Sequence, residues 1–169
     1  SDVHLDNIPE LSLVIAKRIK LFFKYLLDRN DNFHLILNGD VLDFNFCRPD
    51  DKCQRKFEKY FGPSSWSDSG KIKLDQVLEI HVWLLDDLAL ILDEGNLITF
   101  IPGNHDLEFH WIELQDYFLE KIKSRMKNSE EIANFRFSMW YYWQKDKIFV
   151  EHGHRFDPDN ALSHPVFLR

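Results

Sequence analysis

The sequence predicts an α/β layered fold, and three observations carry that expectation. Stretches of helical period alternate with short apolar runs, each of those runs stops at a polar loop, and the composition is that of a folded core. Of 169 residues, 44% are apolar and 29% charged, with six Gly and six Pro. That balance excludes disordered, collagen-like and repeat-rich chains. A chain of this length buries roughly 70% of its unfolded surface, so one domain over residues 1–169 is expected without disulfide staples.

From Leu11 to Leu27 the residues Leu11, Val14, Ile15, Ile19, Phe22, Phe23 and Leu26 recur at three- and four-residue steps, with Lys17, Arg18, Lys20 and Lys24 between them. This is an amphipathic helix. Phe33 to Leu37 is then a short apolar run that ends at Asn38-Gly39-Asp40, as a buried strand does on meeting a loop. Residues 44–73 are polar and aromatic, broken by Arg48-Pro49-Asp50-Asp51 and Gly62-Pro63-Ser64-Ser65, and are expected to form a surface insertion with a short helix near Gln54 to Phe61.

A second helix is predicted from Leu74 to about Leu92, stopped by Glu94-Gly95-Asn96. Leu97 to Ile101 is the next strand and runs into Pro102-Gly103-Asn104-His105-Asp106. A third helix is expected from about His110 to Met126. Phe135 to Glu151 reads as two strands around Gln144-Lys145-Asp146-Lys147, a hairpin that ends in Glu151-His152-Gly153-His154. The alternation Met139 to Trp143 predicts a strand buried on both sides.

With 21 Lys and Arg against 28 Asp and Glu, the net charge is −7, which argues against non-specific binding to a nucleic-acid backbone. No run of about 18 apolar residues is present to span a bilayer, and Ser1-Asp2-Val3-His4 has no signal-peptide character, so a cytoplasmic protein is expected. Cys47 and Cys53 have no partners at zinc-finger spacing and read as ordinary thiols of a reducing compartment. The 15 Phe and 5 Trp are attributed to an aromatic core.

Four clusters could carry chemistry: Asp2-Val3-His4, Gly39-Asp40-Val41-Leu42-Asp43, Gly103-Asn104-His105-Asp106 and His152-Gly153-His154. Singly, each has a plain reading as a cap, a turn or a hydrogen-bonded histidine. Three of the four follow directly on predicted strands, however, where ligand sites collect in α/β folds. Carboxylates, imidazoles and one amide without thiolate suit divalent ions such as Mn²⁺, Fe²⁺, Zn²⁺ or Ni²⁺. The Asp40 carboxylate has two oxygens and could bridge a pair of ions, as in two-metal hydrolases.

The ordered set Asp-x-His, Gly-Asp-x-x-Asp, Gly-Asn-His-Asp and a strand-borne His-Gly-His, spanning Asp2 to His154, resembles the calcineurin-like metallophosphoesterase superfamily. The resemblance implies a four-layer αββα sandwich and hydrolysis of phosphomonoesters, phosphodiesters or pyrophosphates by a hydroxide held between two metal ions, with Mn²⁺ the first expectation. It implies that Asp2, His4 and Asp40 hold one ion and Asp40, Asn104 and His152 the other. His105 would face the substrate, with Asp106 tuning it and Asp43 supporting the ligands from behind. The implied partner is a small phosphorylated substrate, and no motif bears on oligomeric state.

Two departures stand out. The superfamily has a strand before the Asp-x-His, and it closes on a Gly-His-x-His, whereas here Gly153-His154-Arg155-Phe156 puts Phe at the second histidine and His164 precedes Pro165 without a glycine. The expectation is a domain trimmed at both ends. Phe44-Asn45 after Asp43, and Asp106 in place of Glu, set the chain apart from the phosphoprotein phosphatases. The His-Gly-His is similar to the bacterial branch that includes UDP-2,3-diacylglucosamine pyrophosphatase, although that enzyme has Asp after the Gly.

The rivals are a non-catalytic scaffold, as the retromer subunit of this superfamily illustrates, and a nuclease, which net charge −7 and the lack of a basic stripe weigh against. Arg48, with Lys52, Arg55 and Lys56, and Arg155 beside His154, could recognise phosphate. A solvated charged surface accounts for them equally well. His81 is expected to be a packed histidine, and His110 and Trp111 to open a helix.

Overall fold

The computed structural model describes residues 3–29, 31–45, 47 and 66–157. Helix α1 spans Pro9–Leu27, with proline in its first turn, where no intrahelical N–H is needed. The Asp6 carboxylate accepts from the Ile8 N–H at 2.8 Å just before it. Of the expected apolar stripe, Phe23 is buried and Ile15 and Ile19 pack against the core, while Val14 and Phe22 lie exposed.

Strands β1 (His34–Asn38), β2 (Leu97–Ile101) and β3 (Phe135–Phe137) form a parallel sheet in that order. The register pairs Leu35 with Ile98 and Leu37 with Phe100, and Phe100 in turn with Phe137. Because side chains alternate along a strand, these residues share one face. Onto it pack helices α2 (Trp66–Ile80), α3 (Val82–Asp93) and α4 (Ile112–Lys123). Phe109 is the hub of this core, with its ring centroid 4.9 Å from that of Phe100, 5.3 Å from Phe118, 5.5 Å from Phe137 and 5.7 Å from Phe44. Among the described residues most phenylalanines thus belong to the core or pack against it, while Phe22, Phe149 and Phe156 are exposed.

The opposite face of the sheet carries His34, which bonds Thr99 Oγ1 at 2.8 Å and meets the ring of Tyr142 edge-on at 4.9 Å. Tyr142 belongs to the antiparallel hairpin of β4 (Tyr141–Gln144) and β5 (Ile148–Glu151), the second β layer. Helices, parallel sheet and hairpin make a mixed α/β arrangement, three of the four expected layers being present among the described residues.

Three expectations need correction. The helix predicted from Leu74 to Leu92 is two helices, broken at His81. The His81 Nε2–H reaches the Asp6 carbonyl at 2.9 Å, and the Trp83 indole N–H donates to His81 Nδ1 at 3.3 Å. These bonds hold the buried ring at the break. The segment from Phe135 to Glu151 holds three strands, because Phe135–Phe137 joins the parallel sheet. The strand expected to be buried on both sides is buried on neither: Tyr142 is half-buried, and Trp140, Tyr141 and Trp143 are 46%, 50% and 60% exposed. Tyr142 faces the sheet, whereas Tyr141 stacks on Phe149 across the outer face. The short helix near Gln54 to Phe61, Cys53, His164 and most of the expected insertion lie outside the described residues. Among the described residues, no helix is long and apolar enough to cross a membrane.

Candidate metal centre

Parallel strands β1 and β2 end side by side, with the Gly39 N–H donating to the Ile101 carbonyl at 2.7 Å, so the loops that follow them emerge together. The chain start runs alongside: the N–H groups of Val3 and His4 both donate to the Asp40 carbonyl, at 2.8 and 2.9 Å, and Leu5 bridges Leu42 in parallel. Strand β5 delivers His152 to the same rim, where the Asn38 side chain donates to the Glu151 carbonyl at 3.2 Å. The loops pack without slack. A Cβ on Gly39 would fall 2.1 Å from His152 Nδ1, and one on Gly103 would fall 2.1 Å from Asp40 Oδ1. His4 and Asp40 both hold left-handed backbones, at φ 51° and 49°. Non-glycine residues in that region concentrate at functional sites.

Three polar atoms converge on one point. His152 Nε2 lies 3.1 Å from Asp40 Oδ2 and 3.2 Å from Asn104 Oδ1. Adjacent ligands about 2.1 Å from a divalent ion stand ~3.0 Å apart in an octahedron and ~3.4 Å apart in a tetrahedron, so these spacings suit a bound cation. His152 Nδ1 faces the Asn38 carbonyl at 3.3 Å, which fixes the ring and frees Nε2 for that point. His4 Nε2 stands 3.7 Å from the same Oδ2.

Behind these groups, one oxygen of buried Asp43 serves two rings, accepting from His4 Nδ1 at 2.8 Å and from His105 Nδ1 at 2.9 Å. The rings meet edge to face with centroids 4.5 Å apart. A carboxylate only accepts, so both histidines present Nδ1–H to it and keep Nε2 for the cleft. His4, Asp43 and His105 also bring ligand atoms within 4.8 Å of one another, close enough to hold a metal ion themselves.

Burial alone would push the Asp40 carboxyl up. The bond from His152, the His105 N–H at 2.9 Å and the nearby imidazoles outweigh it and hold this group below the usual carboxylate range. Asp106 goes the other way, pushed up to about 6 by complete burial and by the charge of Asp40.

A cleft of about 330 Å³ opens over these atoms, lined by His4, Asp40, Asn104, His105, His152, Gly153, His154 and Asp157. The structure therefore gathers six of the residues singled out in sequence, and sets Asp43 directly behind them. It gives Asp106 a different place: its carboxylate bonds the N–H groups of Gly103, Val41 and Leu42, and the partner of the His105 ring is Asp43. Asp2, Arg48 and the side chain of Arg155 lie outside the described residues. His110 and Trp111 do not line the cleft. Sequence reasoning passed over Asn45, whose side-chain amide lies 3.0 Å from His105 Nδ1, and Asp157 on the rim. Proximity to Asp43 was the available signal for the first; nothing in the local pattern marks the second.

Comparison with curated proteins and with solved structures gives no match. The family description that does match is that of the calcineurin-like phosphoesterases, over residues 1–168. A chain that gathers these carboxylate, amide and imidazole side chains at one rim of its sheets, and matches that description over residues 1–168, belongs to the calcineurin-like phosphoesterase family, whose members bind divalent metal ions and hydrolyse phosphoesters.

Proposed function

We propose that the chain is a two-metal hydrolase of small phosphomonoesters, phosphodiesters or pyrophosphates. The observation that carries this reading is the approach of Asp40 Oδ2 and Asn104 Oδ1 to His152 Nε2, at 3.1 and 3.2 Å, with His4 Nε2 3.7 Å from the same carboxylate oxygen. In this reading Asp40 bridges, His4 and Asp2 complete one ligand set, and Asn104 and His152 complete the other. Mn²⁺ is the first candidate for both positions, with iron, zinc or nickel as alternatives.

A divalent pair held there would supply Lewis acidity, neutralising phosphoryl charge and lowering the pKa of a water from about 15.7 toward 7. The remaining work belongs to the protein. Asp43 fixes the tautomers of His4 and His105 through their Nδ1–H groups. His105, half-buried at the rim, presents Nε2 to a phosphoryl or leaving oxygen; starting as the imidazolium, whose charge the Asp43 carboxylate compensates, it can pass the Nε2 proton to that oxygen and end as the neutral Nδ1–H tautomer. His154, on the cleft wall, is assigned to binding of the phosphorylated substrate, and the sequence alone adds Arg48 and Arg155 to that role. A pure scaffold would have no use for a cleft-facing His105 held by a buried carboxylate. The His-Gly-His end of β5 keeps the pyrophosphatase-containing bacterial branch as the working placement within the family.

The test is Asp40→Asn in the full chain. Mn²⁺-dependent hydrolysis of bis(p-nitrophenyl) phosphate should be abolished, and turnover near that of the wild type would refute the bridging role.

A further inference from the structure

We infer that Asp106 is a positioning residue, which ties the loop after β1 to the loop after β2 and so sets the separation of Asp40 from Asn104. The inference rests on the metal-centre reading above and adds to it a residue that touches neither metal nor substrate. Asp106 is fully buried and does not line the cleft. Both of its oxygens are used on backbone donors. Oδ1 accepts from the Gly103 N–H at 2.6 Å, in its own loop, and Oδ2 accepts from the Val41 N–H at 2.9 Å and the Leu42 N–H at 3.4 Å, in the other loop.

The tie is reciprocal. Asp40 Oδ1 accepts from the His105 N–H at 2.9 Å, so each loop lends one carboxylate to the other's backbone. This divides the labour of Asp40: Oδ1 is spent on holding the loops and Oδ2 is left to face His152 at 3.1 Å. If the Asp106 half of the exchange is removed, the loops stay joined by the Asp40 half, by the Phe44 N–H on the His105 carbonyl at 3.0 Å and by Asp43 on the His105 ring, but the Gly103 and Val41 amides lose the carboxylate that spans them.

The chemistry of the partners explains why a carboxylate stands here. All three are N–H donors, so an Asn would aim its own NH₂ at a donor on one side. A Glu would add a methylene to a site without free volume, where overpacking distorts the backbone. Proton transfer is not the role, because the carboxylate makes no bond to the His105 ring and has no path to the cleft.

The experiment compares wild type with Asp106→Asn, both in the full chain, by calorimetric titration with Mn²⁺ and by the pH profile of bis(p-nitrophenyl) phosphate hydrolysis. In parallel, hydrogen exchange of the Gly103 and Val41 amides is followed in metal-free wild type. Groups that hold ligands in place are worth about 10- to 100-fold in metal affinity. The expected result is a Mn²⁺ Kd raised by about that factor in a folded variant, with the midpoints of the pH profile unmoved and both amides protected in the wild type. An unchanged Kd overturns the inference, and a shifted pH midpoint overturns it in favour of proton transfer. Should Asp106→Asn fail to fold, exchange decides: amides exchanging as fast as exposed ones refute the tie, and protected ones uphold it. A wild type that binds no Mn²⁺ strikes at the metal-centre reading, and the exchange result then still judges the tie by itself.

Discussion

Replacing Gly103 by Ala should damage the site far more than the size of a methyl group suggests. The backbone of Gly103 is not in the left-handed region, so alanine could adopt it; the objection is space. The new Cβ would sit 2.1 Å from Asp40 Oδ1 and 2.6 Å from Asp40 N, where real Cβ contacts essentially never fall below 3.0 Å. The first gap has to open by about 0.9 Å, and the oxygen that must move is the one that accepts the His105 N–H at 2.9 Å, so a lengthening by even two thirds of that amount takes the bond to the limit of hydrogen-bond reach. The second gap involves a backbone atom, which no rotation relieves.

Loss of a hydrogen bond to a charged group costs about 1.5–3 kcal/mol, and displacement of a ligand's support lowers metal affinity by about 10- to 100-fold. Gly95→Ala is the control. Gly95 has φ 78° with nothing within 4 Å of a Cβ, so its substitution costs left-handed strain of about 1–2 kcal/mol and leaves the distant site alone. Urea unfolding of both variants, with Mn²⁺ titration of each, separates the effects. Similar losses of stability are expected, but a weakened Mn²⁺ Kd only in Gly103→Ala. A wild-type Kd in Gly103→Ala would refute the steric argument.

Two further outcomes follow from burial. Desolvation holds the His81 imidazole below its ordinary value of 6.5, so the unfolded chain takes up this proton first; the stability it contributes is whole above about pH 6.5 and falls as the pH drops from there toward the folded-state value. Between pH 7.5 and 5.5 the urea midpoint of the wild type should therefore fall further than that of His81→Gln, which keeps a donor for the Asp6 carbonyl without titrating. Equal falls would refute this. Cys47 is buried, and desolvation pushes its thiol up to about 12, so iodoacetamide at pH 8 should leave the Cys47 peptide unlabelled in the native protein and label it in urea. Native labelling at the rate of a free thiol would contradict the packing around it.

The sequence made Asp40, Asn104 and His152 legible because each lies within three residues of the end of a strand; parallel β1 and β2 deliver the first two to one rim, and β5 of the hairpin brings the third. The alternation of helix and strand was readable for the same local reason. What escaped depended on distant partners. The break at His81 answers to a carbonyl at Asp6, 75 residues away. Local period cannot see such a bond. The aromatic run from Met139 to Trp143 reads alike whether one face or both are covered, and only the docking of Tyr142 on His34 decides it. Asp106 was read next to its neighbour His105 in sequence, yet its carboxylate reaches across to Val41, 65 residues away.

The same dispersion has a consequence for handling the protein. The groups that meet at the cleft come from stretches far apart along the chain, Asn104 and His152 alone being 48 positions apart. An ion gripping them all would act as a removable cross-link, adding by mass action about 2.7 kcal/mol at a hundredfold excess over its dissociation constant. A chelator in the buffer would then work as a mild denaturant, and trace ions carried through purification would raise the melting temperature as effectively as a well-chosen mutation.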